Sequence, residues 1–166
     1  MKIDEALSML HKCQIPELKS YSTLQKIETQ DFYYPSSLIG TRADENSKII
    51  LFSAPGAVGK TALAKYIAQC YGGLYWNVAT TRIGGTSFAG EIAHAVGVRN
   101  GALQDKLYQK LNNGECIFVL DSFDETALIS RRDGIRDFIH EIGEIVADAI
   151  SPAIILTART EMARFI

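Results

Sequence analysis

Phe52-Ser53-Ala54-Pro55-Gly56-Ala57-Val58-Gly59-Lys60-Thr61-Ala62 joins two segments of different periodicity. Before the turn, KIILFS (48–53) is a short apolar run rich in branched residues, which predicts a buried strand. After it, KTALAKYIAQCYG (60–72) places Leu63, Ile67 and Cys70 on one side of a helix. Gly56 and Gly59 permit positive φ and a close approach to the backbone. A tight strand-to-helix turn of this kind points its N–H groups inward as an anion nest. The positive end of the following helix is aimed at the same place.

The alternation continues outward from this turn. GLYWNVA (73–79) is strand-like, Ser87–Val96 and Leu103–Leu111 read as helices, and ECIFVLD (115–121) is a strongly buried strand. Gly134–Ile150 has apolar residues at helical spacing, and PAIILTA (152–158) is a last buried strand. Strands alternating with helices imply an α/β fold, a parallel sheet of about four strands covered on both faces. Residues 1–47 differ. Ile3, Leu7 and Leu10 recur at helical spacing, and Leu18, Tyr21, Leu24 and Ile27 suggest a second short helix after Pro16. Asp31–Ser47 reads as a connecting loop. This part is too short to bury a core of its own, so 1–47 is expected to be a helical extension and linker on a core spanning 48–166.

Composition bounds the function. The chain has 166 residues, 47% hydrophobic and 22% charged, which suits one globular domain. Lys plus Arg is 17 against 19 for Asp plus Glu, a net charge of −2, so no global attraction to nucleic acid is expected. No apolar run approaches the roughly 18 residues that span a bilayer. MKIDEALSML interrupts any apolar leader with Asp4 and Glu5. Cys13, Cys70 and Cys116 are odd in number, far apart and outside any zinc-like spacing. A reducing, cytoplasmic location without a membrane partner follows as the expectation. His11, His94 and His140 are scattered and read as structural or surface residues, and Trp76 as core. Tyr33-Tyr34-Pro35 and Arg42 precede the first strand of the core and are candidates for stacking on a base.

The turn resembles the Walker A motif of P-loop nucleotidases, G-x-x-x-x-G-K-[ST], with Ala54 at the first glycine position. That resemblance implies a nucleotide site built from Ala54, Pro55, Gly56, Ala57, Val58, Gly59, Lys60, Thr61 and Ala62. Lys60 would lie against the β- and γ-phosphates and the Thr61 hydroxyl would ligate Mg²⁺. A second segment, Leu120-Asp121-Ser122-Phe123-Asp124-Glu125, delivers Asp121 at a strand end and resembles Walker B. Asp121 is then the second Mg²⁺ ligand, through a water, while Asp124 or Glu125, in a short turn, orients the attacking water. The third segment, ILTAR, ends in Thr157 and Arg159, whose planar fork suits a phosphate or an acid. In a P-loop sheet this strand lies between those carrying the two Walker motifs.

Together these segments resemble the STAND group of P-loop ATPases, and within it the NACHT type, over roughly residues 48–160. The points of contact are the acidic motif, with Ser122 where the family has glycine, and the sensor-like Arg159. The resemblance implies a three-layer, AAA+-like core. It also implies Mg-dependent binding of ATP (GTP in some members), slow hydrolysis, and use of the nucleotide as a switch for oligomerisation or signalling. Family members continue into a lid and a winged-helix region, so the chain is expected to be truncated before the lid and to meet its protein partners through parts beyond it. Three alternatives stay open: a non-hydrolysing nucleotide-gated interaction module, a DNA-directed AAA+-like ATPase, and a small-molecule kinase with Arg131-Arg132 as its lid candidate.

Overall fold

The computed structural model describes residue 18, residues 23–27 and residues 47–161. The candidate helix at Ile3–Leu10 and the Tyr33-Tyr34-Pro35 and Arg42 positions lie outside the described residues. Five strands form one sheet: β1 (Gln25–Lys26), β2 (Ile49–Ala54), β3 (Leu74–Asn77), β4 (Phe118–Asp121) and β5 (Ile154–Arg159). The helices are α1 (Lys60–Tyr71), α2 (Ser87–Val96), α3 (Gly101–Asn112), α4 (Phe123–Ile129) and α5 (Arg132–Ile145). The spatial order is β1-β3-β4-β5-β2. β2 to β5 are parallel, and β1 pairs with β3 antiparallel through Gln25↔Tyr75 and Lys26↔Leu74.

Side-chain alternation divides the core into two layers. On one face Ile50, Phe52, Tyr75, Val119 and Ile155 pack against Leu63, Ala64, Ile67 and Ala68 of α1. On the other, Leu74, Trp76, Phe118, Leu120, Ile154 and Leu156 meet Phe88, Ile92, Leu107, Leu111, Phe138 and Ile142 of α2, α3 and α5. Phe88 and Phe118 make an edge-to-face pair at 4.9 Å. The result is the expected three-layer α/β sandwich. Trp76 and Cys116 are core residues, while His94 and His140 are exposed beside Glu91 and Glu144. No helix among the described residues is long and apolar enough to cross a membrane.

Three local expectations are corrected. Leu24 and Ile27 do not share a helix face: Leu24 packs into one core layer and Ile27 into the other, on either side of β1. Residues three apart coincide on a helix but oppose each other on a strand, and pairing with β3 decides for the strand. Asp124 and Glu125 lie in the first turn of α4, not in a free turn. The long last helix ends at Ile145 rather than Ile150, where the chain folds back and the Ile150 amide donates to the Asn112 carbonyl.

Candidate functional site

In parallel α/β sheets the strand ends and the following helix starts converge on one edge. Here that edge holds a cleft of about 180 Å³ lined by Gly56, Ala57, Gly59, Lys60, Thr61, Asp121, Ser122, Asp124, Glu125 and Arg159. Residues 60 positions apart in sequence, Thr61 and Asp121, thus line one hollow. The reason is topological: β5 sits between β2 and β4, so the turn after β2 and the acids after β4 flank the end of β5.

Ala54 is the last residue of β2 and is absent from the residues with positive φ, so alanine meets no backbone obstacle at the motif's first position. The left-handed conformations fall later, at Ala57 (φ 62°) and Gly59 (φ 86°). Gly59 precedes the first turn of α1, and the Leu63 amide donates to its carbonyl. Lys60 folds back over the turn, its Nζ donating to the Ala54 and Pro55 carbonyls at 3.2 and 2.9 Å. That uses two of the three ammonium donors and keeps the charge at the cleft mouth. Pro55 and Val58 are exposed on the loop, and Ala62 lies in the first turn of α1.

Asp121 is 1% exposed at the end of β4. Its two carboxylate oxygens accept from different strands: Oδ1 from the Thr157 hydroxyl on β5 at 2.5 Å, Oδ2 from the Tyr75 hydroxyl on β3 at 2.9 Å. The Ser122 amide in turn donates to Thr157 Oγ1 at 3.2 Å. Burial, followed by the Asp121 charge and its hydrogen bond, pushes the Tyr75 phenol well above its usual range, so it stays a donor. The buried Thr157 therefore serves Asp121 rather than reaching into the cleft. Asp124 and Glu125 differ sharply. Asp124 is buried and takes a 3.0 Å contact from Arg159 Nε, whereas Glu125 is exposed on the cleft rim.

The donor set fits a small hard cation. Among the described residues no group of three or more His, Cys, Asp or Glu is arranged to hold a metal. Thr61 and Asp121 offer oxygen donors only, which suits Mg²⁺, an ion that takes one or two protein ligands and completes its shell with phosphate oxygens and water. Tyr75 is the residue that motif reading misses. The available signal is a tyrosine on a buried strand, whose hydroxyl must find a partner.

Residues 50–164 match the family described as "ATPase family associated with various cellular activities (AAA)". The match covers well over half of the chain, and the chain belongs to this family of P-loop nucleoside triphosphatases. Lon protease 2 of Sorangium cellulosum (strain So ce56) is 32% identical over 113 residues, which are 66% of this chain and 14% of that protein. The chain therefore spans only a small part of that relative's length. Among solved structures, C. elegans PCH-2 is similar at 15% identity over 68% of this chain and 29% of that one, with a TM-score of 0.33.

Proposed function

We propose that residues 48–166 form the nucleotide-binding core of a Mg-dependent ATPase that works as a switch, with residues 1–47 as an extension of that core. The supporting observation is the single cleft lined by the glycine turn, Lys60, Thr61, Asp121, two further acids and Arg159. Hydrolysis of a terminal phosphoryl group needs positioning and charge neutralisation more than covalent chemistry. The turn amides, the start of α1 and Lys60 would hold the phosphates. Thr61 and Asp121 would hold Mg²⁺, Asp121 through a water. A divalent charge held by these two residues would supply charge neutralisation for the phosphates. Glu125, exposed on the rim, is the better placed acid to orient water, since Asp124 already holds Arg159.

The Asp124–Arg159 pair supports the switch reading. A guanidinium half exposed at the cleft can trade its acid for a γ-phosphate and return when that phosphate leaves. The D-x-x-D-E order and Arg159 are the features that favour a STAND or NACHT-like switch within the family. Self-association or protein partners would read the switch. Calorimetry of the full chain with Mg-ATP, Mg-GTP and the Lys60→Ala variant tests the reading. ATP is expected to bind more tightly than GTP, and Lys60→Ala to lose at least tenfold in affinity. No heat with either nucleotide at millimolar concentration would overturn it.

A further inference from the structure

We propose that Tyr75 and Thr157 are positioning residues that hold Asp121 in place for a divalent cation. The inference rests on the nucleotide-site reading above. A buried carboxylate is costly unless it is paired and hydrogen-bonded. The usual remedy in this cleft is an arginine, as Asp124 shows. Asp121 is treated differently. Among the described residues it has no ion-pair partner, and the donors to its carboxylate are two neutral hydroxyls. Hydroxyls satisfy lone pairs and fix the rotamer without cancelling the charge. The negative charge of Asp121 thus stays without an ion-pair partner in the cleft it shares with the Walker-like turn, which is the state a cation needs.

Geometry explains why two strands are required. β4 lies between β3 and β5, so a side chain at its end can be gripped from both sides. Tyr75 reaches Oδ2 from two residues before the Asn77↔Asp121 register pair, along the face covered by α1. Thr157 holds Oδ1 and is itself oriented by the Ser122 amide, so the grip is tied to the chain direction after the strand. Each oxygen keeps a second lone pair for a metal-bound water. Loss of either hydroxyl frees the carboxylate to rotate and adds an orientation cost to each cation-binding event.

The test is calorimetric ATP binding by the full chain across a Mg²⁺ series, with a parallel arm in EDTA. Tyr75→Phe and Thr157→Val are each expected to raise the half-saturating Mg²⁺ concentration roughly three- to tenfold. Thr157→Ser, which keeps the hydroxyl, is expected to stay within about twofold of the parent chain, and ATP binding in EDTA to change by less than about twofold. Should Tyr75→Phe fail to fold, the Thr157 pair carries the same comparison. An unchanged Mg²⁺ midpoint in Thr157→Val and Tyr75→Phe overturns the proposal, as does an equal loss in the EDTA arm. If the parent chain binds ATP without any response to Mg²⁺, the positioning role fails while the phosphate turn stands. If it binds ATP in neither arm, the nucleotide reading fails and this role with it.

Discussion

Two acids adjacent in sequence show how environment assigns roles at the scale of single residues. Asp124 is buried against Arg159, and Glu125 is exposed at the cleft. Glu125→Gln is therefore expected to lower ATP turnover by roughly 10²-fold or more while leaving Mg-ATP binding intact, the usual size of a lost proton-transfer or water-orienting group. Asp124→Asn is expected to act mainly on nucleotide affinity, by releasing Arg159. Single-turnover rates and binding isotherms of the two variants separate these effects, and the opposite pattern would exchange the roles. Ser122 carries a second residue-scale point. It adopts φ 63°, ψ 40°, a left-handed conformation that favours glycine. A glycine would adopt this backbone without strain, and in this chain a serine bears it beside Asp121.

Helix α5 places two glycines in opposite situations. A Cβ on Gly134 would come within 2.7 Å of the Ile83 carbonyl oxygen, so this glycine sets the distance between α5 and the loop before α2. A Cβ on Gly143 would meet nothing within 4 Å. Gly134→Ala is expected to destabilise by about 1–3 kcal/mol, as forced overpacking against backbone does. Gly143→Ala is expected to stabilise by up to about 1 kcal/mol through helix propensity alone. Urea unfolding of the two variants reads both signs. The same helix supplies Glu141, whose carboxylate accepts from the Phe88 and Ala89 amides at 3.1 and 2.9 Å and so caps α2 from outside it. Nothing in the local sequence of α2 announces this cap, because its acceptor lies 53 residues from Phe88.

For the molecule as a whole, one buried and one half-buried phenol lower stability at alkaline pH. Desolvation, then the charges of Glu141 and Asp105, raises the Tyr108 pKa above its ordinary value of about 10. The folded chain keeps this proton after the unfolded chain has released it, so stability is full below about pH 10 and falls as pH rises beyond. Tyr108→Phe is expected to flatten part of that fall in unfolding midpoints measured between about pH 9 and 11, with Tyr75 contributing a separate part. An unchanged slope would remove Tyr108 from the account. Much of the architecture was legible because the segments 48–53, 115–121 and 152–158 each carry a short apolar run and the helices repeat at their own period. The glycine turn and the acids that line one cleft were legible as candidates too, since a phosphate-binding turn and a cation site each call for particular residues at short spacing. Those features act within a few residues of one another, and the sequence alone determined them. The strand at Gln25–Lys26, the hydroxyls of Tyr75 and Thr157 on Asp121, and the seating of Asp124 on Arg159 depend on strand order and register. Only the tertiary structure decided them, because each joins segments whose neighbourhood arises when the sheet assembles.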